Sequence, residues 1–342
     1  MRRWSTPLIV AGVVALAVLA AADALRGHGE RKATAESTPT TTRAAPPTLR
    51  EMLRREAITG FVVYSDVGCV LHSLILPRMI DDVVRTERNE PFERCRFTEG
   101  GGRYLDEGEV PSPDGKLVAR CQDLGLVIVS ELESGIQKHA FRGCPPAWRP
   151  DGRLTYAQGD HIMEGNRVLF TRADLHRAAR AHPAIAAVDR SVRIFVHATD
   201  LAWMDESHLV ATLEIDVEGG ETLNLAVLFS GKVIAGVASN RGTGLGHWVV
   251  SPAGSYAASE NGVIVRRDGG TIDPPQNVPD GRAVAFSPDE QWLVYVTGVS
   301  TYLIGTPRNS EPGRVIRLPI AAQDLAWDAI SRGSAIGPPI RR

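Results

Sequence analysis

A short phrase returns six times along this chain, and the recurrence limits the fold more than any other feature. It reads VPSPDGKLVARC at Val110–Cys121 and AWRPDGRLTYA at Ala147–Ala157. Looser copies are LAWMDESHLVATL from Leu201, WVVSPAGSYAAS from Trp248 and VAFSPDEQWLVYV from Val284; a last fragment, LAWDAIS, starts at Leu325. Each full copy has an apolar strand, a tight turn built from Pro, Asp or Gly, and a second apolar strand. The copies recur at intervals of about 40 residues, with a longer interval between Asp151 and Asp205. A unit of about 40 residues holding about four short strands is one propeller blade. Helical repeats of that length need apolar stripes of helical period, whereas these segments carry β-rich runs such as Trp292–Thr297.

Six phrases predict an all-β fold, a six-bladed β-propeller; rings of five or seven blades also fit the spacing. From Leu325 onward there is room for one or two strands. Phe61–Phe97 supplies about three more without a phrase, beginning with a hairpin of Phe61–Tyr64 and Cys69–Leu76 about the turn Ser65–Gly68. Joining the two ends completes one blade, a clasp that closes the ring and removes its open edge. Thr48-Leu49-Arg50-Glu51 is a capping box and predicts a lead-in helix over Leu49–Ala57, so the propeller domain spans residues 48–342.

The pattern hhxSPDGxxhhh, as in Val110–Ala119 and Val284–Val294, resembles the WD-like repeats of the TolB C-terminal propeller and related exported propellers. The similarity covers Phe61–Ile340. In the phrase, Pro fixes φ entering the turn, Asp bonds the turn amides and Gly accepts a positive φ. Asp205-Glu206-Ser207 and Asp289-Glu290-Gln291 lack the Gly, which predicts longer or more strained turns there. The resemblance implies a binding platform, often for other envelope proteins. The α/β domain that precedes the propeller in TolB has no counterpart, because a polar segment occupies its place.

Met1-Arg2-Arg3-Trp4 precedes an apolar run from Pro7 to Ala22. Residues 1–25 therefore read as a retained membrane anchor or as a signal segment cleaved near Ala24. Under either reading everything after Ala24 lies outside the cytoplasm. Residues 26–47, with ESTPTTTRAAPPT at Glu36–Thr48, are too polar to bury a core and form a disordered stalk. In an exported chain the four cysteines, Cys69, Cys95, Cys121 and Cys144, predict two disulfides. Four cysteines allow three pairings, of which the sequential one, Cys69–Cys95 with Cys121–Cys144, is favoured.

Catalytic motifs are missing: the sequence has no GxSxG, P-loop, HExxH or EF-hand loop. No cofactor or metal is expected, and His176 and His182, six apart, do not share a helix face as a metal pair. The net charge of −2 over 342 residues gives no reason to expect nucleic acid. Gly242–Gly246 reads as an inter-blade loop, since a strand and not a helix follows. Trp148, Trp203, Trp248 and Trp327 fall in or beside the first strand of a phrase. Rings so placed pack between blades or line a channel. In the long interval, Thr171-Arg172-Ala173-Asp174 caps an inserted helix that runs to His182-Pro183. Its Arg172, His176, Arg177 and Arg180 share part of one face, either a basic docking surface or a solvated one.

The expected function is a non-enzymatic, membrane-tethered, extracytoplasmic binding module of the bacterial cell envelope, a monomer whose partner is an envelope protein. The alternative is an exported propeller enzyme, a glycan lyase, hydrolase or dehydrogenase, with its active site at the channel mouth.

Overall fold

Five of the phrases become the first hairpin of a four-stranded antiparallel sheet, and the sixth, from Leu325, gives the last strand of another. The computed structural model describes residues 47–66, 68, 70–85, 96–97, 104–105, 109–122, 125–220, 222–240, 245–272 and 281–327. The expected anchor or signal segment, the stalk up to residue 46, and Cys69 and Cys95 lie outside these residues. Among the described residues no helix is long and apolar enough to cross a membrane.

Strands β1 (Gly60–Asp66), β2 (Leu71–Leu76) and β3 (Ile80–Arg85) open the first sheet. A two-stranded ribbon follows, β4 (Arg96–Phe97) with β5 (Tyr104–Leu105). Sheet II holds β6 (Glu109–Pro111), β7 (Leu117–Gln122), β8 (Leu126–Glu131) and β9 (Gln137–Arg142). Sheet III holds β10 (Pro146–Trp148), β11 (Leu154–Gln158), β12 (His161–Glu164) and β13 (Arg167–Phe170). Sheet IV holds β14 (Ile194–Trp203), β15 (His208–Val217), β16 (Thr222–Ser230) and β17 (Val233–Asn240). Sheet V holds β18 (Trp248–Val250), β19 (Tyr256–Ser259), β20 (Ile264–Arg266) and β21 (Thr271–Ile272). Sheet VI holds β22 (Arg282–Phe286), β23 (Trp292–Val296), β24 (Thr301–Gly305) and β25 (Val315–Leu318). The last strand, β26 (Ala322–Trp327), joins sheet I, whose order is β26-β1-β2-β3. Val62 pairs with Trp327 and Tyr64 with Leu325 in that junction. Six four-stranded antiparallel sheets are the content of a six-bladed propeller. From β6 through β10, β14, β18 and β22 to β26, the first strand of each sheet lies beside the first strand of the next.

The turns show why the phrase works, and Ser is its pivot. Ser112 Oγ accepts from Leu117 N at 2.9 Å and donates to Asp114 Oδ1 at 2.7 Å. Ser287 repeats the arrangement with Trp292 N and Asp289 Oδ1. Ser251 Oγ likewise accepts from Tyr256 N at 3.0 Å. Gly115, Gly152 and Gly254 occupy the positive-φ position. Glu290 takes the same place at φ +60, so that turn keeps its length and carries the strain on a side-chain residue. At Asp205 no positive φ is needed. Met204 N closes onto His208 O, the same four-residue span as Arg149 N to Arg153 O.

Two helices behave as their caps require. Helix α1 (Leu49–Arg55) has both halves of its capping box and buries Leu53 against sheets I and VI. It stops two residues short of the expected Ala57, because Ala57 turns left-handed at φ +52. Ile58 N then bonds Leu53 O and Ala57 N bonds Arg54 O, a Schellman ending made without Gly. Helix α2 (Arg172–Ala181) is capped by Thr171 and Asp174 and runs into the short α3 (Pro183–Ala186). Its Leu175, Ala178 and Ala179 pack on Val196, Leu213, Ile215 and Leu225 of sheet IV.

Candidate functional site

The first strands of sheets II, III, IV and V converge on a cavity of about 320 Å³. Its polar lining is Glu109, Asp200 and His247; Trp148, Trp203 and Trp248 supply most of its ring surface. Glu109 opens β6, Asp200 lies within β14 and His247 precedes β18, each immediately before its copy of the recurring phrase.

Glu109 opens β6 and its side chain is 1% exposed. The register pairs it with Arg120 on β7, whose Nη1 lies 3.8 Å from Glu109 Oε1. Asp200 is buried on β14 just after a β-bulge between Ala198 and Asp200, which breaks the alternation and re-aims the strand. Its Oδ1 accepts from Leu201 N at 2.8 Å and its Oδ2 from Trp248 N at 3.0 Å. His247 Nδ1 stands 3.4 Å from Asp200 Oδ2. Gly246, just before His247, sits at φ +65, where a Cβ would collide with the Glu260 side chain.

The tryptophans satisfy both readings of the sequence at once. Trp148 Nε1 donates to Val110 O, Trp203 Nε1 to Thr155 Oγ1 and Trp248 Nε1 to Thr212 Oγ1, each reaching the preceding sheet at 2.9–3.0 Å. Their N–H groups are thus committed to joining neighbouring sheets, and the rings are held against the cavity by that joint. Arg149 lies 5.0 Å from the Trp203 ring centroid, a cation–π contact. Trp327 repeats the pattern within sheet I, donating to Thr59 O at 3.3 Å. The tetrapeptide Asp-Leu-Ala-Trp occurs at both 200–203 and 324–327, and Asp324 bonds Leu325 N as Asp200 bonds Leu201 N.

Sequence reasoning did not single out Glu109, Asp200 or His247. A signal existed: a charged or imidazole residue directly precedes four of the six phrases, as Glu109, Asp200, His247 and Asp324. Chemically the cavity offers two desolvated carboxylates, an imidazole and fixed aromatic rings. That set receives a cationic or donor-rich group and gives its apolar stem a surface to lie on.

Of the residues expected to form a docking face on α2, the three arginines have partners within the chain. Arg172 Nε is 3.5 Å from Asp160 Oδ2, and Arg177 Nη2 is 3.3 Å from Asp174 Oδ1. Arg180 Nη1 donates to Ile185 O and Val188 O, tying down the end of α3. Burial, followed by the Arg172 charge, pushes the His176 imidazole below its usual range. Two of the helix's three arginines thus face a carboxylate, and the third closes the following turn.

Cys121 and Cys144 form a disulfide with Cα atoms 5.8 Å apart, the second pair of the sequential scheme. It links β7 of sheet II to the segment entering β10 of sheet III. Compared with known proteins, the chain matches no family model and no curated protein.

Proposed function

We propose that this chain is an extracytoplasmic binding module of the bacterial cell envelope, a TolB-like propeller closed through sheet I and tethered by residues 1–25 through the stalk. The observation that carries the proposal is the cavity where four sheets meet, with Glu109 and Asp200 buried in it beside ring-locked tryptophans. Buried carboxylates are costly to keep unless something opposite them returns the lost solvation. Within the chain, Arg120, His247 and the amides of Leu201 and Trp248 supply this; a lysine or arginine from a partner protein would add to the same network. A stalk would raise the effective concentration of such a module at the membrane surface.

The test is crosslinking and affinity capture of the tagged full chain from native membranes, beside a Glu109→Gln/Asp200→Asn double variant. A stoichiometric envelope protein held by the wild type and lost from the variant supports the reading. Equal capture by both chains moves the interface away from the cavity, and capture of nothing overturns the proposal. The convergence of Glu109, Asp200 and His247 also favours a second reading, an enzyme acting on a glycan at this mouth. Turnover of cell-wall glycan fragments, abolished by Asp200→Asn, would establish that one instead.

A further inference from the structure

Sheet IV does not end where the other sheets end. Its four strands have 10, 10, 9 and 8 residues, against 3, 4, 3 and 2 in sheet V. The surplus lies on the Ile194 side of Asp200, the residue of β14 that borders the cavity. Side chains alternate between the two faces of such an extension, and residues directly opposite each other share a face. One face, with Val196, Leu213, Ile215 and Leu225, is covered by α2 and α3.

The other face is polar. The register sets His197 opposite Glu214 and Glu214 opposite Asn224. One row further out, Phe195 is opposite Asp216 and Asp216 opposite Thr222. His197 Nε2 lies 3.0 Å from Glu214 Oε1. One ligand atom from each of His197, Glu214 and Asp216 falls within 4.8 Å of the other two, and all three side chains are half-buried. Thr222 Oγ1 donates to Asp216 Oδ1 at 2.6 Å, which leaves the other carboxylate oxygen for a second partner. Asn224, only 7% exposed, adds an amide beside Glu214.

We propose that His197, Glu214 and Asp216 bind a divalent cation of the zinc type. A metal at about 2.0–2.2 Å from one nitrogen and two carboxylate oxygens needs donor separations of a few ångströms, within the span these groups occupy. Two carboxylates side by side repel each other, and a cation between them removes that repulsion while the imidazole stays neutral. The mixed nitrogen and oxygen set selects against magnesium and calcium, which take all-oxygen shells. The absence of thiolate selects against copper(I). Three protein donors leave a coordination position open, so the site suits a ligand-facing metal better than a closed structural one. The inference is independent of what the cavity binds.

The experiment is titration of the EDTA-stripped full chain with zinc chloride by calorimetry, with cobalt(II) absorption as a second readout. Wild type should take up one zinc per chain, and cobalt(II) should give visible bands of a nitrogen–oxygen shell. His197→Ala and Glu214→Gln should each weaken binding about tenfold or more; magnesium and calcium should give no saturable heat. The groups are half exposed, so the variants should keep the wild-type circular dichroism. If they do not, the wild-type cobalt spectrum still decides. A plain His–Glu ion pair predicts no one-per-chain zinc uptake; that result, or unchanged affinity in both variants, overturns the proposal.

Discussion

Sheets IV and V begin from the same phrase and end as different objects. In sheet V the phrase is nearly all there is: Trp248–Val250 and Tyr256–Ser259 flank the turn, and two short strands complete the sheet. In sheet IV the alternation continues backward from the phrase, with Ile194, Val196 and Ala198 buried and Phe195 exposed. The phrase therefore sets a turn and the two strand ends beside it. Strand length beyond that is set by whatever covers the extra apolar face, here α2 and α3. The extension gains a second face free of core duties, and the His197 cluster stands there.

The largest expected effect breaks this extension. Leu213 is fully buried beneath α2. Leu213→Ala should cost about 4 kcal/mol in urea unfolding. Hydrogen exchange should quicken in β14–β17 more than in β18–β21. Equal quickening in both would mean that the two sheets open as one unit.

The next effects fall on the joints between sheets. Cys121→Ser/Cys144→Ser removes a crosslink of sequence separation 23 between sheets II and III. Chain-entropy arguments put the loss at about 3 kcal/mol, measurable as a thermal midpoint below that of the oxidised wild type. At the joint of sheets V and VI, the buried Glu290 Oε1 accepts from Ser251 Oγ at 2.5 Å and from Ala253 N at 2.9 Å. Arg308 Nη1 lies 3.1 Å from its Oε2. Burial pushes the carboxyl up, but the bonds from Ser251, Ser255 and Ala253 outweigh it and hold the group below its ordinary range. A lowered folded pKa stabilises above the ordinary carboxylate range, and that stability is lost as pH falls through the folded value. Glu290→Gln should cost about 2 kcal/mol at neutral pH and flatten the acid limb of the stability–pH curve. An unchanged acid limb would remove Glu290 from the account.

The smallest effect concerns Asp205, at the joint of sheets IV and V. Burial raises its pKa, yet bonds from Ser207 N, the His208 ring, Ser207 Oγ and His208 N bring it down to about 2. Arg267 of sheet V lies 3.5 Å from it. Its contribution is complete above the ordinary carboxylate value near 4 and fades as pH falls toward 2. Asp205→Asn should cost on the order of 1 kcal/mol at pH 7 and clearly less at pH 2, read by denaturant midpoints at both.

The phrase made the six sheets legible, because Ser, Asp and Gly act on amides within five residues of themselves. It also carried the shared sheet of β1 and β26, through strand counting alone. What stayed hidden depends on partners distant in sequence. Asp200 meets the amide of Trp248, 48 positions on, and no local pattern announces that pairing. Glu290 looked like a defective glycine, yet its carboxylate serves the turn of the preceding sheet, 39 positions away. Arg180 belonged to an apparent basic face until Pro183 started α3 and turned the carbonyls of Ile185 and Val188 toward it. The His197 cluster is hidden for a further reason: its register depends on a bulge between Ala198 and Asp200.

Sheet I joins residues that lie far apart in time as well as in sequence. Thr59 and Trp327, 268 positions apart, meet there, whereas each of sheets II to VI is built from one continuous stretch. During synthesis those five can assemble in order as they emerge, but β1 must wait for β26 with its hydrogen-bonding edge unfilled. The slowest contact to form is therefore the one between the two ends of the fold. A chain released after residue 321 should hold sheets II to VI and a three-stranded sheet I whose β1 edge stays open, so the last strand of the fold is also the one that seals it.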